Sequence, residues 1–416
     1  MMNIDLHSGP SRGSAWNSSL PPSRRAGWAL ILAAAVFPQV AFAQILGSAG
    51  SDTIQRELLP GAITEAYGGE GFLYGLSATG IYDSNLFITE GDEESDFSVA
   101  VAPWLLYNSA PPGGAHYIFS ARYAPFARAY LDHSDLNTID HFGSASLSYQ
   151  GAKVHLGSGV SYSQFTQPDR YAGGIVEATS FAVSVNGSYE LSQKTSLEAT
   201  WQANLTDYQS ARFSSSDIYN LQVTGYWKAT PLLRVGPSLR YSETESVNTG
   251  NRQALAFLLN LGYDLPGKID LTAQGGVESE DYERSGSEVG LTGSLGANYA
   301  YDALWSFQVS LNYGTVPSPS ERNYSIDDLG FRASVTRRLS NGSLTAGAGA
   351  NLSSYNAVGP VSALRDDESN VELFLSHRLQ LFGDDVSLET SLRFSQNSGN
   401  QDWSQLLLST GARYTC

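Results

Sequence analysis

The sequence predicts an all-β chain, a transmembrane antiparallel up-and-down barrel of eighteen strands. Three observations carry that expectation. Segment after segment alternates apolar and polar side chains with a period of two. Short turns alternate with longer polar loops. The 416 residues include 41 Gly and 23 Tyr, with only 16% charged and two Met, a composition that favours strands over helices.

The same composition excludes several classes of function. Cys416 is the sole cysteine, so the chain holds no intramolecular disulfide framework and no cysteine-based zinc or iron-sulfur site. Twenty-four basic residues against 41 acidic ones give a net charge of −17, the wrong sign for binding nucleic acid through its phosphates. No cofactor is expected.

The first element is a leader. Arg24 and Arg25 precede the apolar run from Ala26 to Val40, and Ala41-Phe42-Ala43 follows before Gln44. Basic residues, a short apolar stretch and a small-x-small motif make a secretory signal peptide over residues 1–43. The polar stretch before Ser23 is long for such a leader, and an over-long start is the alternative. Nothing around Ser23-Arg24-Arg25 completes a twin-arginine signal, so the general secretory route is expected. Residues 44–70 then form a periplasmic lead and residues 71–416 the barrel. After Ala43 no apolar run approaches the roughly 18 residues of a membrane-spanning helix. Barrel strands escape such a search because only every second side chain meets lipid.

The alternation is plain from Ser196 to Thr206, where Leu197, Ala199, Trp201, Ala203 and Leu205 interleave with Ser196, Glu198, Thr200, Gln202, Asn204 and Thr206. The phase returns with Tyr219, Leu221, Val223, Gly225 and Trp227, and again with Trp305, Phe307, Val309, Leu311 and Tyr313. Each segment therefore has one apolar face and one polar face. The polar set is mostly Ser, Thr, Asn, Gln and Gly, which suits a wet lumen better than the surface of a soluble sandwich.

Short turns are expected at 110–114, 150–153, 192–194, 228–231, 265–268, 301–303, 340–342 and 382–385. Longer polar loops are expected between them, including 89–96, 166–179, 278–288 and 353–370. Short periplasmic turns alternating with long external loops is the pattern of an outer-membrane barrel. Eight turns and nine loops give eighteen strands with both termini periplasmic. One misjudged loop hairpin would reduce the number to sixteen. In the last strand Leu406, Leu408, Ala412 and Tyr414 share one face, and Cys416 stands where such barrels usually place an aromatic residue for the barrel assembly machinery.

The run Tyr82-Asp83-Ser84-Asn85-Leu86-Phe87, an acidic loop, and the strand from Phe97 to Tyr107 resemble the opening hairpin of a family of outer-membrane β-barrel porins often encoded beside exopolysaccharide synthesis genes in Gram-negative bacteria. The resemblance extends loosely over residues 70–416. It implies an outer-membrane channel accessory to polysaccharide export, with export components as partners, and it supplies no catalytic residues.

By strand phase, Arg122, Arg128, Lys228, Arg234, Arg240, Lys268, Arg332, Arg338, Arg378, Arg393 and Arg413 face the lumen. So do Asp83, Glu198, Asp270, Glu278, Glu280, Glu288, Asp328, Glu372 and Glu389. Two readings stand. The arginines form a basic ladder for an anionic solute, or they pair with carboxylates on neighbouring strands, for example Glu389 with Arg393 and Arg413. Excess acid lies in loops, at Glu90, Asp92, Glu93, Glu94 and Asp96 and at Asp366, Asp367 and Glu368. Such runs usually stay solvated, and no calcium-loop spacing is present, so no metal is expected.

Tyr82, Tyr107, Tyr149, Tyr162, Tyr189, Trp227, Tyr241, Tyr263, Tyr299, Trp305, Tyr313 and Tyr414 fall near strand ends on the outward face, where interfacial girdles meet lipid headgroups and lipopolysaccharide. Trp104, Phe126, Tyr130, Tyr226 and Phe374 fall inward, too scattered along the sequence to define a sugar slide. His141 and His377 fall outward with no serine convincingly beside either, so a lipid-modifying enzyme is the weakest expectation. The expected function is passage of hydrophilic solutes, the other class being a closed structural or adhesive barrel with acidic surface loops.

Overall fold

In a computed structural model of the chain the described residues are 71–416, apart from 110–115, 170–173, 211–212, 214, 247–249, 284–285, 318–323, 359–365, 382–384 and 400. The expected leader and periplasmic lead lie outside the described residues, as do most of the turns expected at 110–114 and 382–385.

Alternation is realised as eighteen strands. They are β1 (Gly71–Asp83), β2 (Asp96–Asn108), β3 (Tyr117–Tyr130), β4 (Thr138–Gln150), β5 (Val154–Asp169), β6 (Gly174–Glu190), β7 (Thr195–Tyr208), β8 (Ser216–Lys228) and β9 (Leu233–Ser246). They continue as β10 (Arg252–Leu265), β11 (Ile269–Tyr282), β12 (Gly286–Ala300), β13 (Trp305–Pro317), β14 (Tyr324–Leu339), β15 (Gly342–Ala357), β16 (Glu368–Gln380), β17 (Val386–Ser398) and β18 (Trp403–Thr415). Every strand pairs antiparallel with its sequence neighbours, and β1 also pairs with β18, from Gly75 opposite Thr415 to Asp83 opposite Leu407. The sheet is thus closed into a barrel without a free edge strand, and among the described residues the one long gap in the ladders is between β12 and β13, where pairing stops at Gly293 opposite Tyr313 and Gly286–Thr292 pair with β11 alone.

Several external loops are shorter than expected. Residues 166–169 continue β5, 174–179 open β6, 278–282 extend β11, and 353–357 complete β15. Polar residues at the strand ends disguised this, because above the membrane a ladder no longer needs an apolar outward row. Glu368 accordingly lies in β16, buried, rather than in a loop.

The outer surface is apolar. Leu221, Phe257, Leu259, Leu373 and Leu408 stand exposed on it, while the alternate positions Ser238, Ser242, Thr244 and Asn260 are buried inside. That inversion is what lipid outside and a polar lumen within require. Outward rings gather toward the periplasmic ends, with Phe72 and Tyr107 centroids 4.8 Å apart and Tyr117 and Tyr149 4.9 Å apart, the amphipathic belt favoured at a membrane interface.

The inner wall is not uniformly polar. Around the β1–β3 sector, Trp104, Leu106 and Ala124 pack with Leu73, and Ile81, Ala100, Ala102 and Phe126 pack with Phe142 and Leu407. Gly75 is required here, since a Cβ would collide with the Trp104 indole and the carbonyl of Tyr414. At the external mouth Tyr324, Ile326 and Tyr355 form another inward apolar cluster with Val316.

Candidate functional site: the lumen wall and its external seam

The β9–β12 sector holds a buried ionic network built from alternate positions of neighbouring strands. Arg240 Nη2 lies 2.6 Å from Glu278 Oε2 and donates to Thr292 Oγ1 at 2.9 Å. Arg252 reaches Glu278 Oε1 at 2.8 Å through Nη2 and Glu280 Oε2 at 2.9 Å through Nε. The Tyr282 hydroxyl donates to the same Glu280 oxygen at 2.6 Å. Side chains of Arg252, Glu278 and Glu280 are 6–8% exposed. Two carboxylates shared between two guanidinium forks satisfy one another, the condition under which buried charges are tolerated. A recess opens beside them, lined in part by Asn220, Gln274 and Thr315.

Other lumen arginines are paired as well. Arg234 lies 3.1 Å from Glu198, and Arg332 is 3.2 Å and Arg393 3.5 Å from Glu372. Arg378 lies 3.0 Å from Glu389. The grouping of Glu389 with Arg393 and Arg413 expected from the sequence is therefore corrected. Arg378 takes Glu389 because β16 and β17 set those two residues directly opposite, and Arg393 lies higher, within reach of Glu372. Among the described residues, Arg122, Arg128, Arg338 and Arg413 form no ion pair. Arg338 is exposed at the periplasmic end of β14.

Four of the five inward aromatics sit under arginines, and Trp104 packs instead with Leu106, Ala124 and Leu73. Arg128 lies 5.1 Å over Phe126 and 5.8 Å over Tyr130, Arg234 4.7 Å over Tyr226, and Arg332 4.4 Å over Phe374. Each cation meets the negative face of a ring. Glu288 keeps its inward phase but is exposed at the external end.

Residues 82–87 form the external end of the β1–β18 seam. Tyr82 points outward, Asp83 inward. The Asn85 side chain is fully buried and donates to the carbonyls of Thr89 and Ser404 at 3.0 Å each, and its Oδ1 accepts from the Thr89 amide at 3.1 Å. Ser84 Oγ accepts from the Leu406 amide at 2.8 Å, and Leu86 is buried at 2% exposure. The motif that carries the family resemblance thus closes the barrel. Beside it His133, after β3, donates or accepts at Asp96 (2.9 Å) and Glu94 (2.8 Å) and meets the Phe87 ring edge-on at 5.2 Å.

Sequence reasoning missed Arg252, Asp96 and His133 as members of these networks. Arg252 follows Gly250 and Asn251 and reads as loop, while the partners of His133 lie thirty-seven and thirty-nine positions away. Among the described residues no group of three His, Cys, Asp or Glu is arranged to hold a metal. On the outer wall His141 Nδ1 bonds the Tyr123 hydroxyl at 2.9 Å.

No family model matches the chain, and no curated protein matches it. Among solved structures it is similar to the outer membrane protein OpdK of Pseudomonas aeruginosa, at 12% identity over 83% of this chain and 99% of that one, TM-score 0.46. It is similar to OccK2 of the same organism, solved in complex with glucuronate, at 12% identity over 84% of this chain and 99% of that one, TM-score 0.45. It also resembles the FrpB iron transporter of Neisseria meningitidis at 9% identity, covering 78% of this chain and 61% of that one, TM-score 0.44.

The barrel's own surface decides its place. A closed, even-numbered antiparallel barrel with an apolar outer band, aromatic belts and a polar, charged interior is a protein of the bacterial outer membrane.

Proposed function

We propose that the chain is a porin-like channel that passes hydrophilic solutes across the outer membrane. The observation that carries this is Arg332, which faces inward partway along β14 and keeps 41% of its side chain exposed. A guanidinium is left accessible there only if the lumen holds water. Eighteen strands give a circumference wide enough for an aqueous pore. Service to exopolysaccharide export is the finer part of the proposal and is supported by the resemblance of residues 82–87. The basic-ladder reading narrows to the few arginines that no carboxylate neutralises.

A closed structural barrel is the second reading, favoured by the inward apolar cluster of Tyr324, Ile326 and Tyr355 at the mouth. Single-channel recording of refolded residues 44–416 in planar bilayers separates the two. Stable current that scales with salt supports the channel. A heat-resistant barrel that stays silent at every voltage supports the closed form.

A further inference from the structure

We propose that Arg122, Arg413 and Trp104 form an oxyanion-binding site in the periplasmic part of the lumen wall, one that takes a carboxylate or phosphate group of a passing solute. The inference rests on the solute-filled lumen argued above.

The three residues come from β18, β2 and β3, brought side by side by the closure of the barrel through β1. Trp104 is 3% exposed, and its indole lies over Gly75, between the strand that carries Arg413 and the one that carries Arg122. Trp104 Nε1, Arg122 Nη2 and Arg413 Nε are all sealed from solvent without a hydrogen-bond partner. Buried donors without acceptors are rare in folded proteins, and three in one patch of wall call for an acceptor that the chain does not supply.

Charge makes the same point independently. The cross-strand neighbours of Arg413 are Ser77 and Ser387, and those of Arg122 are Leu106 and Ser144. None is acidic. Arg413 lies in the field of Arg122, Arg378 and Glu389, and Glu389 is already held by Arg378 at 3.0 Å. The local balance is therefore two uncompensated cations. A chain with 41 acidic residues matches Arg234, Arg240, Arg252, Arg332, Arg378 and Arg393 with carboxylates, and leaves this pair without one.

Unpaired guanidinium groups in a part-buried wall destabilise a fold unless a ligand completes them. Their planar forks fit carboxylate and phosphate oxygens, and the indole N–H adds a third donor. Arg122 and Arg413 lie in the inward phase and are only part-buried, so each side chain keeps an open side toward the lumen from which an anion approaches.

The test is titration of the refolded barrel in detergent with sodium phosphate and, separately, sodium acetate, at constant ionic strength in a chloride background, with glucose as neutral control. Tryptophan fluorescence and melting temperature are read together, and in Trp104→Phe, which removes one of the three donors, the shift in melting temperature alone reads the weakened binding. Saturable binding of one anion, weakened about tenfold or more in Arg122→Gln and in Arg413→Gln but not in Lys194→Gln, a cation of the exposed β6–β7 turn, is expected. Which anion binds identifies the group recognised. Should either Gln variant fail to fold, Arg413→Lys keeps the charge and loses the fork, and must also bind more weakly. Equal binding by the parent and these variants, or no saturable binding of either anion, overturns the site. Conductance of the same preparations keeps the two proposals apart. A barrel that binds the anion yet carries no current supports the site and removes the channel, whereas a conducting barrel without saturable binding removes the site alone.

Discussion

Gln405 on the last strand donates its side-chain amide to both carboxylate oxygens of Asp83 on the first, at 3.0 Å each. The same nitrogen lies 3.2 Å from the carbonyl of Asn85, so one amide fastens strand β1, the loop beyond it and strand β18. Closure is the step that joins residues more than three hundred positions apart, and it is here that side chains reinforce the ladder.

Asn85→Ala tests that seam. The substitution strips the carbonyl of Ser404 and both backbone groups of Thr89 of their buried partner. Leaving buried groups unsatisfied costs about 1–3 kcal/mol each before relaxation. The folded band on unheated gels should convert at lower temperature than the parent, with the strand content at room temperature unchanged. An unaltered conversion temperature would show that the backbone pairing of β1 with β18 closes the barrel unaided.

The ionic network of β9–β12 yields a prediction of opposite logic. Arg252→Met leaves Glu278 with Arg240 alone and Glu280 with hydroxyl partners, Tyr282 and Thr315, but no cation, at a cost of about 3–5 kcal/mol for a broken buried pair. Combining it with Glu280→Gln removes the stranded charge and should recover much of the loss. Urea unfolding of the three proteins in detergent gives the comparison, and a double variant as unstable as the single one would mean that Arg252 acts through packing.

Much of this architecture was legible in the residues themselves. Leu197, Ala199 and Trp201 against Glu198, Thr200 and Gln202 fixed the phase of β7, because a strand has only two faces and lipid selects one of them. Strand number followed from the turns. Pairing within the lumen was not legible, since Arg240 meets Thr292 across two intervening strands and sequence phase contains no shear. Nor was the apolar inner sector, where Trp104, Leu106 and Phe126 occupy lumen-phase positions that packing against neighbouring strands buries. Loop lengths failed for the related reason that strands outlive the membrane.

Lipid and lumen faces should respond differently to the same charge. Leu221 stands 44% exposed on the outer face partway along β8, and an arginine there should cost roughly 2–4 kcal/mol. Gln202 faces inward on β7 opposite Ser184 and Asn220, with no cation beside it. Gln222 is the poorer control, since it lies directly opposite Arg240. Leu221→Arg should therefore fold in lower yield into vesicles and unfold earlier in urea, and Gln202→Arg should match the parent. Equal losses at both positions would refute the assignment of faces.

The last prediction concerns pH. His133 lies in the loop after β3, where the hydrogen bond to Asp96 and then that to Glu94 raise its pKa above the ordinary 6.5, and burial only partly opposes them. An unfolded or detached histidine keeps the ordinary value. The contact therefore contributes in full below about pH 6.5, as long as the two carboxylates stay ionised, and fades as pH rises through the folded value. His133→Gln loses the cation and should remove this dependence. The difference in melting temperature between parent and variant should be greatest below about pH 6.5 and shrink as pH rises through the raised folded value. A difference that grows with pH would mean that His133 is held as the neutral ring, with Asp96 bound chiefly through the backbone amides of Asp132, His133 and Phe97.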